Sequence, residues 1–451
     1  MPGLQQPSSS RRGIVLVAVL TALGSHVVAQ TNGSPATTAR KALDYLLTED
    51  FPKLSAMFDA AMKENLTLDV LRGRVSSELA SFGKVEAVGD ASVTQDGKLT
   101  LVTFPVNFSK TKVNIQFHLQ ESGELAAIHF RPADSRLPGA WQHPRYSTQD
   151  SFRERAVTIG KDPWELGGTL TIPAGKGPFP ALILIHGPGP NDRDESMRAN
   201  KVFADIAEGL SSRGIAVLRY DKRTLIYARQ MSQSEFTLRE ETIDDALSAA
   251  AFMRLQPEIN PARVYVLGHS LGGYAAPRIA LEDGKLAGVI FLAANARPIE
   301  ELVLEQTEYL ASAGALSPDE AQRRLESLKV ETQKLKALEP GGANPPVVMG
   351  LPSAWLLDVR NYDPAAQAAR LSIPLLFLQG GRDFQVSMKD FDKWKSALAD
   401  HANAKFRSYP DLNHLFISGK AKSVPAEYLI PSNVSPEVIG DIAAWISASK
   451  N

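Results

Sequence analysis

Cysteine is absent from the 451 residues. That excludes thiolate nucleophiles, Cys-ligated metals and disulfide staples together, and leaves the compartment open, because a chain without thiols is indifferent to redox poise. An excess of either charge is also missing. The 49 Lys and Arg face 50 Asp and Glu, for a net charge of −1, so no global basic surface points to nucleic acid. Nor are basic residues interleaved with aromatics. No Gly-rich phosphate loop, HExxH helix or EF-hand loop occurs, so the motifs call for no cofactor and no metal. What remains is ordinary for a globular protein, with 44% hydrophobic and 22% charged residues. That is ample for a large core without staples.

Long apolar runs are scarce as well. Gly13–Leu23 (GIVLVAVLTAL) follows Arg11 and Arg12 and precedes the small residues Val27 and Ala29. It is too short to span a bilayer as a helix and has the layout of a signal peptide cleaved after Ala29. Residues 1–29 are therefore expected to be removed and the mature protein exported, to a periplasm or outside the cell, with no stable membrane span.

Periodicity divides the rest. From Ala39 to Phe82 apolar residues recur at helical spacing, with a break near Pro52. Period-two segments follow at Ala87–Thr94, Leu99–Phe108, Lys112–Gln120 and Glu124–Phe130, with turns at Asp96-Gly97 and Ser122-Gly123. This predicts a small α+β domain over residues 39–135. Residues 136–150, rich in Pro, Gly and polar side chains, read as a linker. Over 151–449 strands alternate with helices, and FPALILI (Phe179–Ile185) has the continuous apolar character of a strand buried on both faces. The expected fold is α/β, a doubly wound and mostly parallel sheet. Alternation pauses at about 296–370, a helical, charged insertion that predicts a cap over a site.

The chemistry gathers at strand ends. Gly268-His269-Ser270-Leu271-Gly272 fits the G-x-S-x-G nucleophile elbow, between the strand RVYVL and a helix. Such a turn exposes Ser270 Oγ and points the Leu271 N–H, at a helix N-terminus, toward a developing oxyanion. Asp383 follows the strand PLLFLQ and His414 follows KFRSY, which gives the order Ser, acid, His. His414 would shuttle the Ser270 proton, and Asp383 would hold its tautomer. Asp411 is the rival acid, but it sits three residues before His414 on the same loop. His186 and His269 are read as structural. The loop His186-Gly187-Pro188-Gly189-Pro190 ends the buried strand. Pro188 and Pro190 have no N–H, so the second oxyanion donor is expected at Gly189, ahead of Gly187 or Asn191. The charge clusters Asn191–Glu195 and Arg219–Arg223 either receive an anionic substrate group or pair with each other to fix this loop.

HGPGPNDRDE, RYDKR, GHSLGG and QGGRDFQV, in that order, resemble the α/β-hydrolase superfamily, and within it bacterial acyl esterases and serine-aminopeptidase-like hydrolases. The likeness covers residues 150–449. Residues 39–135 are similar in pattern and position to the small accessory domain often upstream of such enzymes, with the cone-shaped fold of nuclear transport factor two. The resemblance implies a serine hydrolase of short- to medium-chain carboxylic esters working through an acyl-Ser270 intermediate. Its partner would be a small-molecule ester, with no nucleic acid. A peptidase or amidase with the same triad, and a non-catalytic binding protein on this fold, are the alternatives. The partner of the N-terminal domain stays open.

Overall fold

The computed structural model describes residues 34–66, 68–96, 99–132, 141–232, 234–340 and 347–449. The expected signal peptide and the first part of the linker lie outside these residues. Among the described residues, no helix is long and apolar enough to cross a membrane.

The N-terminal domain packs four helices, Pro35–Leu47, Phe51–Ala56, Ala60–Asn65 and Leu68–Phe82, on an antiparallel sheet. Pro52 stands just after the expected break, which falls at residues 48–50. It sits in the first turn of the second, behind the N-cap Asp50, where its missing N–H costs nothing. The segment expected as one strand over Ala87–Thr94 is two, Val85–Val88 and Ser92–Asp96. Both pair with the long strand Leu99–Phe108. Leu43, Leu46, Phe58, Val102, Ile115 and Phe117 form a core separate from that of the larger domain.

The larger domain is built on an eight-stranded sheet. Its strands are β1 (Phe152–Ile159), β2 (Leu166–Pro173), β3 (Phe179–Ile185), β4 (Ala216–Tyr220), β5 (Ile259–His269), β6 (Gly288–Leu292), β7 (Leu375–Gly380) and β8 (Ala404–Tyr409). Their spatial order is β8-β7-β6-β5-β3-β4-β2-β1. Strand β2 runs antiparallel to both its neighbours, and the other pairs are parallel. Hydrophobic clusters lie on both faces, as a parallel sheet with near-continuous apolar strands requires. Helices α1 (Val202–Ser211), α2 (Asp244–Arg254) and α3 (Leu271–Asp283) make the crossovers around the centre. This is the doubly wound α/β-hydrolase architecture.

Between β6 and β7 the chain leaves the sheet for α4 (Ile299–Ser312), α5 (Pro318–Lys336), α6 (Ser353–Val359) and α7 (Pro364–Ala368). Ser317 caps α5 by accepting the Glu320 N–H, and acidic residues open that helix while lysines close it, as the helix dipole favours. The last part of the expected linker is docked on the larger domain. Trp141 Nε1 donates to Asp205 at 2.9 Å, and Glu208 takes Ser147 at 3.0 Å and His143 Nδ1 at 2.7 Å.

Candidate active site

Strand β5 ends at His269 and α3 begins at Leu271, so a single residue makes the turn. Ser270 takes φ 52°, ψ −117°, a strained conformation for a residue with a side chain. The turn is held by the Ser270 N–H donating to Leu292 O at 2.9 Å, and by Ser270 O accepting from Gly273 and Tyr274. Only glycine fits two positions on. A Cβ on Gly272 would stand 2.2 Å from Ile185 O, so α3 can meet β3 at this distance only without one. Ser270 is 9% exposed and lines the main cavity.

Asp383 and His414 come from the two strands at one edge of the sheet. Register pairs Gly380 at the end of β7 with Tyr409 at the end of β8, so the loops that follow leave side by side. His414 Nδ1 lies 2.7 Å from Asp383 Oδ2. The same oxygen takes Gln379 Nε2 at 3.0 Å, and Oδ1 takes the Gln385 and Val386 N–H groups at 2.8 and 3.0 Å. A buried carboxylate with this many donors has one orientation. It accepts from the imidazole, so His414 carries its proton on Nδ1 and presents Nε2 as the basic nitrogen. Asp411 is exposed and does not reach the ring. Asn413 shapes the loop from within, its Oδ1 taking the Leu415 and Ile417 N–H groups.

The loop after β3 is held by its polar groups in turn. The Gly187 N–H donates to Glu195 Oε1 at 2.6 Å, and Gly187 O accepts from Lys222 Nζ at 2.8 Å. Asn191 Nδ2 reaches Gly187 O and Pro188 O, each at 3.2 Å, and Thr224 Oγ1 donates to Gly189 O at 2.9 Å. Gly187 is thereby removed as an oxyanion donor, since its N–H is already engaged. Among the described residues nothing accepts the N–H of Gly189 or of Leu271. Both residues line the cavity with Ser270, whereas Asn191 does not. Gly189 has φ 82°, a left-handed conformation that favours glycine.

The charge clusters pair with one another. Arg219 bridges Asp194 and Glu154. Arg193 holds Asp221, and Arg223 holds Asp245. Lys222 pairs with Glu241 at 2.6 Å, and Glu241 also takes Trp355 Nε1 of α6 at 2.8 Å. Sequence reasoning grouped these residues by charge, and the pairing across 19 to 114 positions decides their roles. His186 is buried between Phe203 and Tyr220, with Nε2 3.0 Å from Asp192 O. Burial pushes its pKa down to about 4, so it is a neutral, structural imidazole. His269 has its Nδ1 2.8 Å from Glu195 Oε2, a close charge contact that lacks good hydrogen-bond alignment. Burial opposes charge on both partners. Their mutual attraction outweighs it, raising His269 and holding Glu195 below the ordinary carboxylate range.

The cavity beside Ser270 has a volume of about 850 Å³, within the range of small-molecule sites. Leu271, Tyr274 and Phe236 wall it from the core, and Ile299, Leu302 and Trp355 from the cap. Among the described residues no group of three or more His, Asp or Glu is arranged to hold a metal ion.

Comparison with known proteins gives matches of three kinds. Residues 195–420 match the family described as serine aminopeptidase, S33, and residues 39–128 match a family of unknown function, DUF3887. Esterase EstD of Thermotoga maritima is 37% identical over 405 residues, 90% of this chain and 93% of that protein. The quorum-quenching protein AidA of Acinetobacter baumannii is 25% identical over 217 residues, 44% of this chain and 68% of that one. Among solved structures, Est1E from Butyrivibrio proteoclasticus overlays with a TM-score of 0.42 at 17% identity, covering 65% of this chain and 99% of that one.

Proposed function

The chain belongs to the α/β-hydrolase superfamily, in the serine aminopeptidase S33 family, and we propose that it is a serine esterase with Ser270 as nucleophile, His414 as general base and acid, and Asp383 as the residue that orients His414. One observation carries the reading. Two unpartnered backbone N–H groups border the same cavity as a serine held at a strained turn, and the buried Asp383–His414 pair lies beside that turn, the His414 ring 4.7 Å from the ring of His269. Each component alone has structural uses. Their meeting at one serine turn beside an apolar cavity fits acyl transfer.

The proposed reaction uses these groups in turn. Ser270 Oγ attacks the ester carbonyl carbon while His414 Nε2 takes the hydroxyl proton, and the carbonyl π electrons move onto oxygen. The Leu271 and Gly189 N–H groups receive that oxyanion. Collapse of the adduct breaks the bond to the leaving oxygen, which takes the proton from His414 and departs as the alcohol. Water then repeats the sequence on acyl-Ser270, releasing the acid and restoring the serine. Asp383 keeps its charge throughout and stabilises the transient imidazolium. The cap supplies the acyl-binding wall, and we assign short- to medium-chain acyl groups to it.

The extensive identity with an esterase favours esters over amides. The family's aminopeptidase description supports a second reading, cleavage of amides after protonation of the leaving amine by His414. Initial rates on acyl esters and on aminoacyl amides, measured side by side, decide between them. A fluorophosphonate probe should label wild type and leave Ser270→Ala unlabelled; an unlabelled wild type would make the protein a binder on a hydrolase fold. We also propose export with cleavage after Ala29. N-terminal sequencing of mature protein from the native host should begin at Gln30, and retention of residues 1–29 would refute it.

A further inference from the structure

Glu195 and Lys222 take part in none of the steps above, yet they are 3% and 2% exposed. They meet at one residue, Gly187, where the carboxylate accepts its N–H at 2.6 Å and the ammonium donates to its carbonyl at 2.8 Å. Hydrogen bonds to charged partners are the strongest a peptide group makes. Taking a carboxylate and an ammonium out of water is costly, and a simple turn does not require it. Glu195 also occupies φ 47°, a conformation a residue with a side chain adopts only where its surroundings over-determine it.

The consequence runs along the loop. With both peptide planes flanking Gly187 fixed and the φ of Pro188 set by its ring, the orientation of the next peptide is left to one rotation. Asn191 Nδ2 settles it by holding Pro188 O at 3.2 Å. The oxygen and the N–H of a trans peptide point in opposite directions, so the Gly189 N–H is turned away from Asn191. Glu195 reaches the other half of the site as well. Its second oxygen faces His269 Nδ1 at 2.8 Å, and His269 Nε2 lies 3.1 Å from His414 O. The carbonyl of His414 only accepts, so His269 donates to it from Nε2. His269 thus links the Glu195 carboxylate, through a close contact, to the backbone bearing His414.

The geometry points to Glu195 and Lys222 as positioning residues that clamp Gly187 from both sides, aim the Gly189 N–H at the oxyanion and, through His269, hold the His414 loop against the elbow. The inference rests on the serine-esterase reading. Wild type, Glu195→Ala, Glu195→Gln and Lys222→Met are compared by steady-state ester hydrolysis, with active sites counted by fluorophosphonate. Inhibition by an alkyl boronic acid, which forms a tetrahedral adduct on a serine, is measured on each. Glu195→Ala should lower kcat per labelled site by about 10²-fold, the scale of one oxyanion donor, with KM within about threefold. Boronate affinity should fall by a comparable factor. Glu195→Gln keeps an oxygen for the Gly187 N–H and should recover at least about tenfold of that loss, and Lys222→Met should lower kcat by about tenfold or more.

A merely structural role would reduce the labelled fraction and leave kcat per labelled site unchanged, and that result overturns the clamp. So does a glutamine variant no better than alanine. Should Glu195→Ala fail to fold, Glu195→Gln and Lys222→Met carry the same test. A wild type that takes no label refutes the esterase reading instead. The clamp is then read by amide hydrogen exchange, where the Gly187 N–H should exchange at least about tenfold faster in Glu195→Gln or Lys222→Met than in wild type, since its bond to a charged network is weakened. Unchanged exchange overturns the clamp independently of catalysis.

Discussion

Two backbone N–H groups border the cavity beside Ser270, and they come to be free by different routes. Leu271 opens α3, where the first turn of any helix leaves its N–H groups without partners. Five contiguous residues, Gly268 to Gly272, produce that donor. Gly189 lies in a proline-flanked loop with no such rule behind it. Its N–H is free because Glu195, Lys222, Asn191 and Thr224 occupy the other polar groups of the loop. One half of the proposed oxyanion hole is thus a property of local chain geometry, and the other is assembled from side chains of two segments, 191–195 and 222–224. The first kind tolerates change elsewhere in the protein, whereas the second depends on buried charges that must all be in place.

The largest expected effect lies on the elbow side. Ser270→Ala removes the proposed nucleophile and should lower kcat by about 10⁶-fold, because such a triad acts as a unit. Circular dichroism should find the variant folded, and near-native ester turnover would end the mechanism. Next is the acid. Asp383→Asn offers His414 an amide in place of a carboxylate, favours the wrong tautomer, and should cost about 10⁴-fold in kcat. Asp411→Asn should stay within about threefold, as befits an exposed carboxylate remote from the reaction. The reverse ranking would transfer the acid role.

The third prediction tests the loop side directly. Gly189→Ala meets no steric obstacle, since the space around its Cβ position is open. Its cost comes from φ 82°, and relaxation of that angle would turn the N–H. The expected loss is about 10²-fold in kcat. Pro188→Ala removes stiffness and no donor, so it should cost less than about tenfold. If Pro188→Ala proves the more damaging, rigidity outweighs donor placement in this loop.

The smallest effect concerns stability. His186 has a folded pKa of about 4, against an ordinary value near 6.5. As pH falls through that window the unfolded chain binds a proton that the folded chain refuses, so stability is lost from about pH 6.5 down to about pH 4. The full loss amounts to about 3 kcal/mol. His186→Phe, which retains a ring between Phe203 and Tyr220, should show a shallower decline in urea unfolding measured from pH 7 to 4.5. Identical slopes for the two proteins would remove His186 from the pH response.

Much of this was legible in the residues because it is local or set by topology. FPALILI had to be buried on both faces, and it is β3. The elbow motif between a strand and a helix fixes the turn at Ser270. Asp383 and His414 follow the last two strands, and parallel pairing brings their loops to one edge. Other features gave no local signal. Ala87–Thr94 alternates like one strand, but it is divided into two that share a partner. Residues 141–149 read as linker, yet Asp205 and Glu208 of α1 dock them.

The sequence by itself determined the mostly parallel sheet, the serine turn and the end of the sheet where Asp383 and His414 stand. These depend on hydrophobic period, glycine sterics and chain direction, all of which act over a few neighbours or through backbone pairing. Only the tertiary structure decided which charges pair. Asn191–Glu195 and Arg219–Arg223 supply more partners than any one-dimensional reading can match, and charge attracts without regard to sequence separation. Burial selects the arrangement, because each ion taken out of water must find a counter-ion or a peptide dipole. For Glu195 and Lys222 those dipoles are the N–H and the carbonyl of Gly187, which leaves the Gly189 N–H open to the cavity.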